Sequence, residues 1–485
     1  MLQKPHHDFL EKEFSNELGE RATLWCHDFF SYPFTIKSEF PWNTISNNLS
    51  YFIHPDLCGS YIEKKEFLER GKNLAKFFVN GDNIPLLLEK YDELITHRKV
   101  FTEKIEKINF SKMSKSELLP YFKEFVDICN TTCIWYRATR NEAENEVVNI
   151  VKEKLKKHNV EEHFQLLITS PYTDPIKEEK KDWLTLIQQK SLEKKDYQNH
   201  IKNHSMFFTN MFSEKEIVDS LNKKYTLDKK SMGLLKSELD ETQNKLNRIK
   251  NKQEMVLNKI NDSDLEKYLV LFHRFGEYRL KLKPGYAGIE VLSLPMLNRL
   301  GELAGMSVKD MHEYLTINET LTFLKKGILP ENDILERRKV SRVLIVRNKE
   351  FVVLDGEDGK QFVENVIFKK NQGKDEFKGR IAYPGKVMGK VRLIKTNQLD
   401  EIQKAFTIFQ EGEILVTSET QPNMVPLMKK AAAIVTQQGG ITSHSGIVAR
   451  EFKIPCIVGI DSILLNLETG DLIEVDADNG IIRKL

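Results

Sequence analysis

The chain has 485 residues, of which 40% are hydrophobic, and its 73 basic and 71 acidic residues leave a net charge of +2. This length exceeds one ordinary core, so several domains are expected, and no apolar run approaches the roughly 20 residues that cross a membrane. The balanced charge disfavours nucleic acid as a partner, and the N-terminus carries no secretory signal, so a cytoplasmic protein is predicted.

The five cysteines are scattered along the chain and odd in number. Cys129 and Cys133 lie one helical turn apart, which is also the spacing found in half of a metal site. Neither a second cysteine pair nor a nearby histidine completes a tetrahedral ligand set. We therefore predict buried thiols in a reducing compartment, and no metal site.

Residues 1–340 predict a large, mainly α-helical domain, because apolar residues recur at helical spacing in several long segments. Segments 85–107 and 115–156 are two of these. Segment 229–272 is mostly charged with a sparse apolar stripe, which is typical of an amphipathic helix or of a helical hairpin packed on its neighbours.

Residues 341–378 are predicted to hold a strand hairpin and a linker. Two β-branched and aromatic runs within 341–356 flank Asn348 and Lys349, as in a hairpin. Segment 369–379 is polar and poor in apolar residues, so we interpret it as a hinge.

From residue 379 to 485, strand and helix patterns alternate, which predicts a compact α/β domain. The pattern predicts helices at 400–406, 423–431 and 444–452, and strands at 387–394, 413–417, 433–436 and 455–459. A hairpin of 471–475 and 480–484 closes the domain.

The segment 433–459, AIVTQQGGITSHSGIVAREFKIPCIVG, carries the strongest chemical pattern. A buried strand leads to two glycines, which allow tight turning, and a Thr-Ser pair then caps a helix. His444 is thereby placed in the first helical turn, where backbone N–H groups and the helix dipole favour an anion. A neutral imidazole there is a competent nucleophile for a phosphoryl group, and Gly446 is expected to leave room for a second reactant. The residues predicted to support the phosphate are Gly439, Gly440, Thr442, Ser443 and Ser445.

Taken alone, this local chemistry also fits a histidine that merely neighbours a helix cap. The segment, however, resembles the phosphohistidine (swivelling) domain of phosphoenolpyruvate-utilising enzymes, such as phosphoenolpyruvate synthase, pyruvate phosphate dikinase and rifampicin phosphotransferase. The motif residues in register are Gly439, Gly440, Thr442, Ser443, His444, Ala449, Arg450, Glu451 and Pro455. The resemblance implies that His444 is the phosphoryl acceptor. Neutral residues at Gln421, Asn423 and Gln437 stand where relatives often carry threonine or acidic side chains.

The same resemblance implies two further sites, an ATP-grasp domain holding ATP and Mg²⁺ and a site for the molecule finally phosphorylated. No Walker-type loop is present, and residues 1–340 lack the Gly-rich, strand-rich character of an ATP-grasp domain. The sequence also stops after the carrier segment, so we expect no (β/α)₈ barrel like that of the dikinase. We therefore expect ATP and Mg²⁺ on a separate ATP-grasp subunit, with no cofactor bound tightly by this chain.

Residues 270–338 more weakly resemble the helical acceptor-binding region of rifampicin phosphotransferase. By this resemblance, Arg274 and Arg279 would bind the small-molecule acceptor, although a basic helix surface is an equally open interpretation. There are two further candidates for a pocket lining or for the core: Trp25 with His27 and Phe29, and Trp135 with Arg137 and Arg140.

Three hypotheses follow. In the first, the chain is a phosphotransferase subunit with a layout resembling phenylphosphate synthase, in which His444 is phosphorylated by the partner subunit. In the second, it is a non-catalytic binding or regulatory protein that keeps the swivelling-domain fold. In the third, it is a self-sufficient kinase whose nucleotide site lies unrecognised in the helical part. None of them calls for a nucleic acid or a membrane.

Overall fold

A computed structural model describes most of the chain. It covers residues 14–18, 24–25, 48–53, 57–139, 141–173, 175–189, 191–230, 232–347, 350–368, 373–394, 399–420, 424–441, 443–460 and 462–485. The hairpin turn at Asn348 and Lys349 and the hinge residues 369–372 lie outside these ranges. None of the helices described is long and apolar enough to cross a membrane.

Helices fill residues 64–340, a region called here the helical body. They are α1 (Lys64–Val79), α2 (Asn83–Glu106), α3 (Lys115–Tyr136), α4 (Asn141–Lys157), α5 (Phe164–Ile168), α6 (Pro175–Ile187), α7 (Lys194–Asn203), α8 (Glu214–Lys230), α9 (Met232–Ile260), α10 (Ser263–Leu282), α11 (Ile289–Leu292), α12 (Leu294–Ala304), α13 (Val308–Tyr314), α14 (Ile317–Lys326) and α15 (Asn332–Val340). Their apolar faces meet in one shared core, in which Trp183 and Phe122 are fully buried. Burial of this continuous core stabilises helices that are too polar to be stable alone.

Helical periodicity located these helices better than it located their ends. The predicted segment 85–107 corresponds to α2. The segment 115–156 is two helices, because a 3₁₀ turn at Arg137–Thr139 separates α3 from α4. Within 229–272, α9 ends at Ile260, just before Asn261, whose φ of 50° is left-handed, and α10 begins soon after. Helix α9 packs on α5 and α6, as expected of an amphipathic helix with one apolar stripe.

The hairpin predicted at 341–356 is present as two antiparallel strands, and it belongs to a larger sheet. The five antiparallel strands are β1 (Phe14–Leu18), β2 (Asn48–Ile53), β3 (Leu57–Glu63), β4 (Ser341–Arg347) and β5 (Glu350–Asp355). They lie in the order β1-β3-β2-β4-β5, so β4 pairs with β2 from the opposite end of the helical body. Residues 1–340 were expected to be mainly helical, and that expectation did not include the strands β1–β3, whose pairing partner lies far away in the chain. Helix α16 (Gly356–Val363) then follows the hairpin.

The remaining elements form the C-terminal unit, residues 376–484. They are β6 (Glu376–Lys378), β7 (Arg380–Tyr383), β8 (Lys386–Ile394), α17 (Leu399–Ile408), β9 (Ile414–Thr417), α18 (Val425–Lys430), β10 (Ala433–Thr436), α19 (His444–Phe452), β11 (Cys456–Val458), β12 (Leu472–Asp476) and β13 (Ile481–Lys484). Every helix and strand predicted after residue 379 is present. The proposed hinge is shorter than expected, because its end is the strand β6, which pairs with β13.

Eight strands of this unit lie in the order β6-β13-β12-β8-β9-β10-β11-β7, and β8 to β11 run parallel. Alternate residues of the parallel strands enter two cores. Leu415 and Ile434 pack against the helices, whereas Val416 and Val435 face the opposite layer. Burial on both faces explains why these strands are continuous apolar runs. The carboxyl ends of β9 and β10 consequently meet at one edge of the sheet.

Candidate active site

His444 is the first residue of α19, as the sequence predicts. Strand β10 ends at Thr436, and Gly439 follows with a φ of 101°, a conformation that only glycine adopts readily. Ser443 caps the helix, since its Oγ accepts a hydrogen bond from the Gly446 N–H at 3.4 Å. The imidazole is half-buried at this helix start, where the backbone dipoles favour an anion.

A second element holds the imidazole ring. The hydroxyl oxygen of Thr420 lies 2.8 Å from Nδ1 of His444, and the Thr420 side chain is buried. Thr420 follows strand β9, and the N–H of Gln438, just after β10, donates to the Ser418 carbonyl oxygen at 2.9 Å. The loops after β9 and β10 are therefore hydrogen bonded to each other. The contact between Thr420 and Nδ1 orients the His444 ring from outside the histidine motif.

Two guanidinium groups hydrogen bond to the backbone of the loop that contains the glycine turn. Arg380 Nη2 donates to the Gly439 carbonyl oxygen at 2.9 Å, and Arg450 Nη1 donates to the Ile441 carbonyl oxygen at 2.7 Å. Hydrogen bonds from charged donors are stronger than neutral ones, so the turn that precedes His444 is well anchored. Sequence reasoning missed Thr420 and Arg380. The position of Thr420 just after a parallel strand was the available signal, since ligands bind at that edge of such sheets.

Four of the residues predicted to support the phosphate, Gly439, Gly440, Ser443 and Ser445, lie around the helix start. The fifth, Thr442, lies outside the described residues. The hydroxyl oxygens of Ser443 and Ser445 are 2.8 Å apart and hydrogen bonded to each other. Gly440 is buried beside them. Both hydroxyls would have to turn in order to contact a phosphoryl oxygen, so their supporting role stays a prediction.

The expected role of Gly446 was wrong. A Cβ atom on this residue would overlap the Ile441 carbonyl oxygen and lie 3.0 Å from the carbonyl carbon. Glycine here allows the helix start to approach the preceding loop closely, and it opens no space for a reactant.

Gln437 also has a structural contact, because its Oε1 accepts a hydrogen bond from the Leu464 N–H at 3.3 Å. Gln421 and Asn423 lie outside the described residues.

Comparison with known proteins agrees with this geometry. Residues 409–480 match the family described as PEP-utilising enzyme, mobile domain. This segment of the chain is therefore a mobile domain of the phosphoenolpyruvate-utilising enzyme type. The match contains β9, β10 and α19, which are the elements that place Thr420 and His444.

Curated relatives are similar to this chain over limited segments. The phosphoenolpyruvate synthase of Pyrococcus furiosus is 47% identical over 107 residues, or 22% of this chain and 12% of that protein. The probable phosphoenolpyruvate synthase of Archaeoglobus fulgidus is 39% identical over 141 residues, or 29% and 18%. That of Staphylothermus marinus is 33% identical over 186 residues, or 38% and 21%. The chain thus spans about a fifth or less of the length of these relatives. The longest match exceeds 379–485 itself, so it includes residues before the mobile domain.

The C-terminal unit, called the mobile domain from here on, contains the segment that matches the family. It contacts the helical body through the loop and helix that carry the histidine motif. Ile441 is buried in the core of the helical body. Lys245 Nζ, on α9, donates to the Glu451 carbonyl oxygen at 2.7 Å and lies 5.7 Å from the centre of the Phe452 ring. The described contacts therefore place the loop before α19 and the end of α19 against the helical body.

His273 lies at this contact and is held neutral. Burial lowers its pKa to about 4, even though its Nε2 hydrogen bonds to the Leu167 carbonyl oxygen at 2.7 Å. The charges of Arg450 and Arg274 lower the pKa further, so both guanidinium groups lie close to this ring. The contact between the mobile domain and the helical body therefore places the guanidinium groups of Arg450 and Arg274 near the same imidazole.

The structure separates the two arginines predicted to bind the acceptor. Arg274 stacks over the Tyr172 ring at 4.6 Å and pairs with Glu277, near the contact with the mobile domain. Arg279 projects elsewhere from α10, and its Nε donates to the Thr139 carbonyl oxygen at 3.2 Å. A helix turns by 100° per residue, so positions five apart do not share a face. The two arginines therefore project from different faces of α10, and their binding of an acceptor stays a prediction.

The other candidate pocket linings fall in different places. Trp25 is buried in the core and stacks on His312 at 4.0 Å, whereas Trp135 is half-buried, with Lys90 5.9 Å from its ring. The neighbours proposed for them, His27, Phe29 and Arg140, lie outside the described residues. A cavity of about 750 Å³ opens between Phe212 and α12, and all its lining residues belong to the helical body.

Proposed function

We propose that His444 carries a phosphoryl group from ATP, bound by a separate ATP-grasp subunit, to a small-molecule acceptor on the helical body. In this carrier step the protein would resemble phosphoenolpyruvate synthase. The observation that carries the proposal is the imidazole at the start of α19 with its Nδ1 held by Thr420. A histidine serving only as a capping neighbour would not need a second loop to orient its ring.

The chemistry follows from that orientation. With the Nδ1–H of His444 donating a hydrogen bond to the Thr420 hydroxyl oxygen, the Nε2 lone pair attacks the donor phosphorus. An N–P bond forms as the P–O bond to the leaving phosphate breaks. The phosphoryl group adds negative charge beside the helix N-terminus, which stabilises it. In the second transfer, an acceptor oxygen forms an O–P bond as the N–P bond breaks, and its proton passes to solvent.

The docked position corresponds, in this proposal, to delivery of the phosphoryl group. Arg274 and Arg450 both lower the pKa of His273, so one guanidinium group from the helical body and one from the mobile domain lie near this ring. Such a field attracts an anionic acceptor or a phosphorylated product. Phosphorylation by the partner then requires the mobile domain to leave this position, which separates ATP from the acceptor and limits hydrolysis.

The test is phosphorylation of the purified chain with β- and γ-labelled ATP, with and without a candidate ATP-grasp partner. His444 is the only histidine after His312 in the sequence. A phosphohistidine found in any peptide from beyond residue 312 is therefore His444. We expect label that is acid-labile and base-stable, that requires the partner, and that is lost in His444→Ala. The exposed His97→Ala serves as the matched control and retains the label.

Two results would overturn the proposal in different ways. Label on the chain without any partner would identify a self-sufficient kinase. No label on His444 in the presence of a partner with proven ATPase activity would identify a non-catalytic binding or regulatory protein.

A further inference from the structure

A group of potential metal ligands lies in the helical body, within α6 and α7. Asp182 projects from α6, His200 lies on α7, and His204 directly follows α7. His204 Nε2 is 2.9 Å from Asp182 Oδ2, and His200 Nδ1 is 3.8 Å from the same oxygen. One ligand atom from each of the three residues lies within 4.8 Å of the others. Two helices thus present two imidazoles and one carboxylate to a common point.

His200 is the unusual member of this group. Its side chain is 1% exposed, yet neither ring nitrogen has a hydrogen-bond partner. Its nearest carboxylate oxygens, on Glu179 and Asp182, lie at 3.3 and 3.8 Å without hydrogen-bond geometry. Leaving a buried polar group unsatisfied costs about 1–3 kcal/mol, so such a group calls for an explanation.

We infer that Asp182, His200 and His204 bind a divalent transition-metal cation of the Zn²⁺ type. Neutral imidazole and carboxylate are preferred Zn²⁺ ligands, and bonds of about 2.0–2.2 Å place ligand atoms about 3.3–3.6 Å apart in a tetrahedral site. The separations of 2.9 and 3.8 Å bracket that range. A cation would supply the partner that the buried Nδ1 of His200 lacks.

The surroundings of His200 fit a second coordination shell. Its Nε2 faces Glu179 Oε1 at 3.3 Å, and Lys224 Nζ donates to the same oxygen at 2.6 Å. A carboxylate on the far nitrogen of a metal-bound histidine fixes its tautomer and orientation. Trp183 packs beside the imidazole, with ring centres 5.1 Å apart. Lys224 balances the charge of Glu179, which leaves Asp182 as the carboxylate available to the metal.

The site is open on one side. The Asp182 side chain is 47% exposed, while His200 is enclosed. Three protein ligands leave a fourth tetrahedral position for water or for an anion. The proposed cation therefore joins α6 to α7 and remains accessible to a small ligand.

The experiment is titration of the metal-stripped full chain with Zn²⁺ by calorimetry, and with Co²⁺ followed by visible absorption. We expect one strong site per chain with the absorption bands of tetrahedral Co²⁺. Glu179→Gln should weaken Zn²⁺ binding about 10- to 100-fold, the usual effect of losing a second-shell partner. Asp182→Asn and His204→Gln should each weaken it by more than that, because they remove direct ligands.

His158→Gln is the matched control, because His158 Nε2 lies 3.0 Å from Asp262 in a histidine–aspartate pair with no second histidine. This variant should bind Zn²⁺ like the unmodified chain. Absence of a strong site, or equal affinity in Asp182→Asn and the unmodified chain, would overturn the inference and leave a hydrogen-bonded cluster only. Circular dichroism checks folding, and the exposed position of Asp182 makes its variant decisive if His204→Gln unfolds.

Discussion

His444 in the mobile domain and His200 in the helical body are each approached by a polar group from another element. His444 has a capped helix start and a hydroxyl at 2.8 Å, so its ring is held and remains half-buried. His200 is enclosed at 1% exposure without a hydrogen bond. The arrangement at His444 suits a side chain that reacts, and the arrangement at His200 suits a side chain that binds a metal ion. We therefore propose different roles for the two histidines, and we expect the two regions to respond differently to acid, to added volume and to loss of a contact.

Acid should affect the helical body most. Burial lowers the pKa of His273 to about 4 and that of His312 to about 3, whereas an unfolded histidine titrates near its ordinary value of about 6.5. Both rings are neutral when folded, so the stability they contribute is present above pH 6.5 and is lost as the pH falls toward 4. Each histidine should lower the free energy of unfolding by about 3 kcal/mol at pH 4.

Tryptophan fluorescence measures this effect selectively, because all four tryptophans precede residue 184. His312→Phe should flatten the pH dependence between pH 6.5 and 4, whereas the exposed His97→Gln should leave it unchanged. An identical pH dependence in His312→Phe and the unmodified chain would contradict the assignment of that loss to the buried imidazole.

The second largest effect is expected in the mobile domain, when a side-chain carbon is added at Gly446. Gly446→Ala places a Cβ against the Ile441 carbonyl group, so the loop before His444 must shift. We expect a loss of about 1–3 kcal/mol in the mobile domain, measured as faster hydrogen exchange in β9 and β10. The comparison is Gly233→Ala at the start of α9, where a Cβ meets nothing within 4 Å. That change should stabilise α9 by about 0.5–1 kcal/mol. Similar losses in both variants would show that the tight approach at Gly446 is not the cause.

Loss of the Thr420 hydroxyl should affect transfer more than stability. Thr420→Val keeps the shape but removes the contact with Nδ1 of His444. A neutral hydrogen bond contributes about 1 kcal/mol, so the rate of His444 phosphorylation should fall about fivefold. Thr420→Ser should restore the rate, and Thr407→Val, which loses a hydroxyl bonded within α17, should not change it. An unchanged rate in Thr420→Val would remove Thr420 from the positioning role.

The smallest effect is expected at the contact between the two regions. Lys245→Met removes the hydrogen bond to the Glu451 carbonyl oxygen, which a half-buried lysine donates at 2.7 Å. Such a contact contributes about 0.5–1 kcal/mol, so hydrogen exchange at the end of α19 should quicken about two- to fivefold. Lys250→Met, exposed on the same helix, should leave exchange unaltered. Equal exchange in both variants would mean that Lys245 does not hold the docked position.

Local pattern was sufficient for much of the mobile domain. The helix start at His444, the strand alternation and the closing hairpin each depend on residues within a few positions of one another. Ser443 caps the helix beside it, and each parallel strand is a short apolar run. The same reasoning gave the helices of the helical body, although it missed the break at Arg137–Thr139.

The tertiary structure decided what depends on distant partners. The strands β1–β3 pair with a hairpin from beyond the helical body, and Thr420 reaches His444 only through the order of the sheet. Sequence analysis weighed a metal site only at Cys129 and Cys133, whereas Asp182 comes close to His200 and His204 only because α6 packs beside α7. Caps and periodicity act within one or two turns of the chain, so the sequence determined the elements of this protein. Contacts between elements depend on how all the apolar faces pack together, and only the folded structure determined those.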